Sequence, residues 1–394
     1  MQQRPKDAPP LVEGDAVQIL DAIVRLALRE RASDIHLEPK VDQLKVRMRI
    51  DGAMVDVQGI SNAVAPQIIS RVKVLARMDI SERRMPQDGQ IALDMEGKTV
   101  SMRASTFPSQ QGEKAVLRLL TGNTYVLPFA KLGLDPDAQR TLRNAISRPQ
   151  GFVITCGPTG AGKTSTLYAL LELVHTNDVN VVTLEDPVEV ELYGITQGQV
   201  HNRAGFTFAT GLRAILRQDP DVILVGEMRD SETAGIAMQA ALTGHLVLST
   251  LHTSDTVETI VRLIDLGVEP WIVANALSAV LSQRLVRVVC PHCKDTVKLE
   301  SDFWDGDELL MPAGSPIVKP RGCNRCMQSG YRGRTGIFEV LELDDEIREL
   351  VKSKASSRAY RDIFARRKIK SLRRMGFERI QAGITTVEEV SRVT

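Results

Sequence analysis

The apolar side chains of residues 15–31 recur at the spacing of a helix. Val17, Leu20, Ile23, Val24 and Ala27 fall on one face, which predicts an amphipathic helix with that face buried. Residues 44–57 instead alternate between apolar and polar side chains, and a second alternating stretch covers residues 90–106. We predict a small α+β domain built on antiparallel hairpins and ending near residue 120.

The pattern changes after residue 150. Four short apolar runs, FVITC, VNVVTLED, DVILVGE and HLVLSTL, are typical of parallel strands buried on both faces. Helical segments such as KTSTLYALLELVH separate them. This alternation predicts an α/β domain whose chemistry lies at the carboxyl ends of the strands. The stretch TGNTYVLPFAKLGLDPDA, which has no periodicity, is the predicted crossing between the two parts.

Composition excludes fibrous and membrane-spanning classes. The chain has 394 residues, of which 43% are hydrophobic and 25% are charged, so two or three domains with real cores are expected. The first fifteen residues are polar and proline-rich and lack the apolar core of a signal peptide, which predicts a cytoplasmic protein. A net charge of +1 gives no argument for nucleic-acid binding, and the basic residues 360–379 are interpreted as a solvated helix face.

The strongest local signal is GPTGAGKT, residues 157–164, which has the G-x-x-x-x-G-K-T spacing of a P-loop. It directly follows a predicted strand and directly precedes a predicted helix. In such a loop the backbone N–H groups surround the phosphates of ATP, Lys163 reaches the β- and γ-phosphates and Thr164 ligates Mg²⁺. The predicted nucleotide-binding residues are Gly157, Pro158, Thr159, Gly160, Ala161, Gly162, Lys163, Thr164 and Ser165.

Acidic residues follow two of the other apolar runs. TLEDPVE contains Glu185, Asp186 and Glu189, and Glu227 follows DVILVG at the position of a Walker B acid. One carboxylate can hold Mg²⁺ together with Thr164, and another can orient or deprotonate the attacking water. We predict that Glu185 and Asp186 help to bind the nucleotide and that Glu189 and Glu227 are catalytic, and the sequence leaves open which acid is the general base.

Two histidines bracket the run HLVLSTL. A lone histidine is more often a core or capping residue than a catalytic one, but this pair flanks a strand expected to lie beside the strand of Glu227. We therefore interpret His245 and His252 as candidate sensors of the γ-phosphate.

Four of the five cysteines follow the pattern of a metal site. Cys290 and Cys293 form one C-x₂-C pair, and Cys323 and Cys326 form a second after twenty-nine intervening residues. Without an export signal a disulfide framework is disfavoured, and four thiolates suit tetrahedral Zn²⁺ with no open position, which is a structural site. Cys156, at the end of a predicted strand, is expected to be a small buried filler.

Four stretches of the chain resemble, in order and spacing, the Walker A motif, Asp box, Walker B motif and His box of the secretion ATPase superfamily. They are GPTGAGKTSTLYALL, TLEDPVE, GLRAILRQDPDVILVGEMRD and ALTGHLVLSTLHTSDT. The fit extends upstream to RASDIHLEP, RRMPQDG and GEKAVLRLL, and downstream to GITTVEEVSRVT. The chain is similar to the GspE/PilB branch, the motors of type II secretion and type IV pilus assembly.

That resemblance implies an architecture and further roles. It implies a ring-shaped homo-hexamer with a PAS-like α+β domain before a RecA-like P-loop ATPase domain. The expected boundaries are a polar tail at 1–14, the PAS-like domain at 15–125, the ATPase domain at 126–394, an inserted tetracysteine zinc subdomain at about 287–334 and a helical part at about 343–394. Glu189 matches the general base, and Arg84, Arg103 and Arg118 match arginines that complete nucleotide sites in such rings, although any of the three can instead be a structural ion-pair partner.

The resemblance also implies the biological role. Assembly motors carry the tetracysteine element and retraction motors generally lack it, so we expect ATP hydrolysis at the cytoplasmic face of the inner membrane to drive assembly of a pilus or pseudopilus. The expected partner is an inner-membrane platform protein, which supplies the membrane association, and no nucleic-acid partner is expected; the alternative is a RecA-like nucleic-acid translocase.

Three points stay open at this stage. The sequence does not decide between type II secretion and type IV pilus systems, nor identify the platform partner. Most relatives have a further N-terminal docking domain, but only about fifteen polar residues precede the first predicted helix here, so either docking differs or the chain is truncated. Gln90 stands where a basic residue is expected, which puts in doubt a role for that position at a ring interface.

Overall fold

The computed structural model describes residues 14–95, 97–120, 126–305 and 308–394. Contacts divide the chain into two compact units. The first unit contains the described residues up to 120 with Val289–Asp295 and Lys319–Gly333, and the second contains residues 126–288, Thr296–Val318 and Arg334–Thr394. The predicted tail and the predicted boundary at residue 125 fall largely outside the described residues, and the domain limits stay predictions.

The first unit has an antiparallel sheet with two helices. Its elements are α1 (Ala16–Arg29), β1 (Ala32–Pro39), β2 (Gln43–Ile50), β3 (Ala53–Ser61), α2 (Ala65–Leu75), β4 (Gln87–Met95), β5 (Lys98–Ser109) and β6 (Gly112–Leu120). The strand order is β3-β2-β1-β6-β5-β4, and every neighbouring pair is antiparallel. The core lies between the helices and one face of this sheet, with Ile23, Ile35, Met48 and Leu117 fully buried. The α+β prediction is confirmed.

The first helix follows its hydrophobic pattern with one exception. Asp15 caps it by accepting hydrogen bonds from the backbone N–H groups of Val17 and Gln18, both at 2.9 Å. Four of the five predicted core positions are buried, but Val17 is 40% exposed in the first turn and Ile19 is buried instead.

The second unit is a strand–helix alternation. Its first elements are α3 (Pro136–Ile146), β7 (Gly151–Cys156), α4 (Lys163–Val174), β8 (Val181–Glu185), β9 (Thr196–Gln199), α5 (Phe208–Ile215), β10 (Val222–Val225), α6 (Ser231–Leu242), β11 (Leu246–Leu251), α7 (Thr256–Asp265), α8 (Pro270–Ala276) and β12 (Leu277–Val289). The rest of the chain adds β13 (Lys294–Lys298), β14 (Phe303–Asp305), β15 (Glu308–Met311), β16 (Pro316–Pro320), β17 (Tyr331–Glu342), α9 (Asp345–Lys352), α10 (Ser357–Arg367), α11 (Leu372–Gln381) and α12 (Val387–Val393).

A seven-stranded sheet organises this unit, in the order β17-β12-β7-β11-β10-β8-β9. The pairings from β12 through β9 are parallel. All residues of β7, β8, β10 and β11 are buried, because helices cover both faces of the sheet. The predicted mixed α/β fold with a parallel sheet is confirmed, and the carboxyl ends of these four strands lie at one edge. Strands β13 with β16 and β14 with β15 form two small separate sheets.

Candidate functional site

The P-loop joins β7 to α4 at the carboxyl edge of the sheet. Its three glycines have left-handed φ angles: 144° at Gly157, 80° at Gly160 and 89° at Gly162. Glycine adopts these without the strain that a side chain would bring. At Gly157 the neighbours forbid a side chain as well, since a Cβ atom would lie 2.6 Å from the Gln283 carbonyl oxygen. The loop is therefore shaped before any ligand arrives.

The exposed part of the loop is suited to an anion. Thr164 and Ser165, in the first turn of α4, are exposed, and the first backbone N–H groups of a helix have no partner within the helix. The Lys163 Nζ atom lies inside the loop and donates hydrogen bonds to the carbonyl oxygens of Gly157 at 2.7 Å and Pro158 at 3.1 Å. Burial lowers the pKa of Lys163, and the negative charge of Glu227 acts in the opposite direction.

Glu227 and His252 lie at the same edge as the P-loop. Glu227 follows β10 and His252 follows β11, the strand between β10 and β7. The His252 Nε2 atom lies 3.7 Å from the Glu227 carboxylate, and Arg229 pairs with that carboxylate from the other side. Burial lowers the pKa of His252, the charge of Lys163 lowers it further, and Glu227 opposes both. The structure thus brings Lys163, Glu227 and His252 into one electrostatic cluster.

The three acids after β8 have different surroundings. Glu185 is 3% exposed, and its carboxylate accepts hydrogen bonds from the Tyr168 hydroxyl at 2.5 Å, the Thr183 hydroxyl at 2.6 Å and the Gln197 amide at 3.1 Å. Burial and this carboxylate raise the pKa of Tyr168. Asp186 and Glu189 are exposed. The Glu185 side chain thus joins β8 to α4 and β9. The nucleotide-binding role of Glu185 and Asp186 and the catalytic role of Glu189 stay predictions.

The structure does not bring His245 to this cluster. His245 precedes β11, and its backbone oxygen accepts a hydrogen bond at 3.1 Å from Gly151, the first residue of β7. Its Nδ1 atom lies 3.0 Å from the Ala240 carbonyl oxygen. A strand of six residues separates the two histidines, about 20 Å at the usual rise. His245 therefore lies at the amino edge of the sheet, and its predicted phosphate-sensing role has no support from its position.

Arg103 and Arg118 lie on the sheet face opposite the core, next to buried neighbours on each strand. Register places Gln90 opposite Arg103, Arg103 opposite Arg118 and Arg118 opposite Asp34. The Arg118 Nε atom donates to Asp34 at 2.9 Å. Burial opposes ionisation of Asp34, but the hydrogen bonds from Arg118 and Ser33 outweigh it and lower the pKa. The four residues paired across these strands line one groove.

The candidate arginines differ in their partners. Arg84 lies on the loop before β4, 3.2 Å from Glu82, with a side chain that is 89% exposed. Arg118 is held by Asp34 and is 68% exposed. Within the described part of the chain, no carboxylate lies within ion-pair distance of Arg103. The structure brings Arg103 and Arg118 together and leaves Arg84 outside their groove.

The four paired cysteines form one cluster within the first unit. Their Sγ atoms all lie within 4.8 Å of one another, with 3.7 Å between Cys293 and Cys326 and 4.0 Å between Cys290 and Cys323. Tetrahedral zinc with Zn–S bonds of about 2.3 Å requires S–S distances of about 3.8 Å, so the cluster fits this ion. The Gly330 amide donates to the Cys326 sulfur at 3.3 Å, which is the outer support that metal-bound thiolates have.

Sequence reasoning missed three side chains near the P-loop. Arg229 pairs with Glu227, and Gln283 and Arg284 of β12 contact the P-loop. Arg229 lies inside the Walker B segment, two residues after Glu227, and this short spacing is the signal that could have indicated the pair. Gln283 and Arg284 carry no motif, and only the fold places β12 beside β7.

Among the described residues, no helix is both long enough and apolar enough to span a bilayer.

Comparison with known proteins assigns the family. Residues 12–392 match the family model described as "Type II/IV secretion system protein". "Type II secretion system protein E" of Klebsiella pneumoniae is 46% identical over 388 residues, which is 97% of this chain and 77% of that protein. "Type II secretion system ATPase E" of Vibrio cholerae serotype O1 is 44% identical over 384 residues, covering 97% of this chain and 76% of the relative.

Solved structures share the fold. The Legionella pneumophila ATPase DotB has a TM-score of 0.70 at 23% identity and covers 98% of this chain and 97% of its own. The pilus retraction motor PilT with bound ADP has a TM-score of 0.62 at 24% identity, with 95% and 96% covered. The sequence relatives carry the assignment and these structures support its fold: the chain belongs to the type II/IV secretion system protein family and is an ATPase of that family.

Proposed function

We propose that this chain is a homo-hexameric ATPase that works at the cytoplasmic face of the inner membrane and drives assembly of a pilus or pseudopilus. The observation that carries the proposal is the cluster of Lys163, Glu227 and His252 beside a preshaped P-loop. Its relatives at 44% to 46% identity are named as type II secretion proteins, which supports the secretion role.

The P-loop backbone and Lys163 would bind the phosphates of ATP. The Nζ atom now satisfies two loop carbonyl groups and would exchange them for oxygens of the β- and γ-phosphates. Thr164 and Glu227 would hold Mg²⁺, whose chemistry is to neutralise charge on the phosphates. Both fit, since Thr164 is exposed at the start of α4 and Glu227 has a side chain that is 16% exposed.

The two catalytic acids are suited to different tasks. Arg229 and His252 already engage the carboxylate of Glu227. Glu189 is exposed and has no ion-pair partner within the described residues. We therefore assign water activation to Glu189 and the metal shell to Glu227, with Asp186 beside them as a further acid at the same edge.

The first unit supplies the remaining cations in this proposal. Charge on the transferred phosphoryl group is stabilised by arginines that come from outside the P-loop domain. Arg103, Arg118 and Arg84 are proposed to complete the nucleotide site of a neighbouring chain in the ring. We interpret the first unit as a PAS-like domain and the second as a RecA-like domain. The four cysteines would hold a structural zinc, which favours the assembly direction and an inner-membrane platform protein as the partner.

A nucleic-acid translocase is the other candidate from the sequence. Its best support is the basic segment 360–379, but acidic side chains neutralise much of it. Arg366 and Arg367 both pair with Glu346, and Arg374 pairs with Glu308. A surface neutralised in this way offers few cations for phosphate contacts.

The test measures ATP hydrolysis against protein concentration, with oligomer mass followed by light scattering. The rate per chain should rise as hexamers form, and Lys163→Ala should abolish it while Lys131→Ala, a change at an exposed lysine of the same unit, should not. In a secretion-deficient strain the wild-type chain should restore export, and Lys163→Ala should not. An inner-membrane protein should co-purify with the wild-type chain. A rate independent of concentration would contradict the ring, and stimulation by duplex DNA would favour the translocase.

A further inference from the structure

Strand β12, which pairs with β7, contacts the backbone of the P-loop. In the pairing of β12 with β7, Ser282 lies opposite Cys156, so the next residues of β12 run past the end of β7. There the Gln283 Nε2 atom donates a hydrogen bond to the carbonyl oxygen of Ala161 at 2.7 Å. A Cβ atom at Gly162 would lie 3.1 Å from the same nitrogen. The P-loop backbone therefore rests directly on Gln283.

Arg284 connects this support to two other segments. Its guanidinium donates to three carbonyl oxygens: that of Gln283 at 2.9 Å, that of Ser254 at 2.7 Å and that of Val393 at 3.1 Å. Ser254 is two residues beyond His252, and Val393 is the last residue of α12. A planar guanidinium has donors in several fixed directions, whereas a lysine ammonium is a point charge. One side chain thus fixes the P-loop support, the loop after His252 and the last helix.

The burial of Gln283 indicates more than packing. The side chain is 2% exposed, and its Oε1 atom accepts no hydrogen bond from the described residues. An apolar side chain of the same shape would remove this unsatisfied acceptor but would also leave the buried Ala161 carbonyl oxygen without its donor, so the two effects on stability oppose each other. What the amide adds is its hydrogen bond to the P-loop.

We propose that Gln283 and Arg284 are positioning residues for the ATP site. Gln283 holds the Ala161 carbonyl group, so that the adjacent loop amides point outward to the phosphates, and Arg284 ties this support to the loop after His252 and to α12. This inference rests on the proposed nucleotide site and adds two residues that belong to none of its motifs.

The decisive variant is Gln283→Met, which keeps the volume and removes both the donor and the unsatisfied acceptor. The Kd of the full chain for a fluorescent ATP analogue should rise roughly 3- to 10-fold, as expected for one lost hydrogen bond. The melting temperature without nucleotide should change little, because the loss of the unsatisfied acceptor offsets the loss of the hydrogen bond to Ala161. If Gln283 served only stability, the variant would instead lower the melting temperature and leave the Kd unchanged.

Arg284→Lys tests the proposed role of Arg284 in connecting Gln283 to the loop after His252 and to α12. It keeps the charge and loses the three-way contact, so KM for ATP should rise about tenfold while kcat changes less. The matched control is Arg348→Lys in the same unit, since Arg348 also donates to a backbone oxygen, that of Ala274 at 3.1 Å, away from the P-loop. If Arg284→Lys does not fold, Gln283→Met alone decides.

Wild-type ATP affinity in Gln283→Met would overturn the inference, as would a fall in melting temperature with no change in affinity. Those results would leave the proposed ATP site intact. Failure of Lys163→Ala to weaken binding of the same analogue would instead overturn the site itself.

Discussion

The P-loop of the second unit and the cysteine cluster of the first are both candidate sites for a charged ligand, but they are built from different parts of the chain. The P-loop uses backbone N–H groups held by glycines in left-handed conformations between β7 and α4. The cluster uses four side chains from two loops, placed within 4.8 Å of one another. A main-chain site exists before its ligand binds, whereas thiolates at this distance repel each other until a cation joins them. Nucleotide should therefore be dispensable for folding, whereas the metal should be required.

The largest expected effect concerns the metal. Cys323→Ser should lose the zinc and the order of the surrounding loops, because structural zinc contributes about 10 to 16 kcal/mol in small finger peptides. Metal analysis of the purified protein and hydrogen exchange over residues 289–333 measure this. Cys156→Ser is the matched control, since Cys156 is buried outside the cluster and should keep one zinc per chain. Folded, unoxidised wild-type protein without metal would contradict the prediction.

Arg103 and Arg118 of the first unit should both affect the rate, but only Arg118 should affect stability. Arg103→Ala should lower kcat by roughly 10³- to 10⁵-fold, the range for an arginine that stabilises phosphoryl transfer, and leave nucleotide binding intact. Its melting temperature should not change, because no described carboxylate pairs with it. Arg118→Ala should lower both rate and stability, since it removes a partner of Asp34, which is 5% exposed. Equal melting temperatures for the two variants would show that the Asp34 pair does not stabilise the unit.

Binding and chemistry should separate within the second unit. Lys163→Ala should impair ATP binding, whereas Glu227→Gln and Glu189→Gln should keep binding and lower turnover by roughly 10²- to 10⁴-fold, because the amide keeps its size and loses its charge. Equilibrium binding and single-turnover hydrolysis distinguish the two. Glu232→Gln, at an exposed ion pair with Arg213, is the control and should behave as wild type. Near-normal turnover in either amide variant would remove that carboxylate from the mechanism.

Some features of the second unit can be predicted from the sequence and others cannot. The buried strands and the P-loop follow from local pattern, because continuous apolar runs and fixed glycine spacing are short-range signals. A local pattern does not show strand direction: His245 and His252 flank the same run, yet only His252 lies at the carboxyl edge of the sheet. It also could not show that Glu185 is enclosed by Tyr168 and Gln197, or that Gln283 lies under the P-loop. Those contacts join distant segments and depend on sheet order.

The smallest expected effect concerns a buried ion pair of the second unit, between Glu389 of α12 and Arg287 of β12. Glu389 is 2% exposed; burial opposes its ionisation, but hydrogen bonds from Arg287 and Arg392 outweigh it and lower its pKa from 4.5 to about 2. Because the folded-state pKa is depressed, the stabilisation is complete above about pH 4.5 and is lost as the pH falls toward 2.

Urea unfolding of the wild type and Glu389→Gln from pH 7 to pH 3 measures this contribution. The wild type should be more stable at pH 7, and the difference should shrink steadily below about pH 4.5. Glu349→Gln, at the exposed pair with Lys352, should show almost no difference at any pH, since exposed pairs contribute little. A gap between wild type and Glu389→Gln that stays constant down to pH 3 would show that packing, not the charge of Glu389, holds α12 to β12.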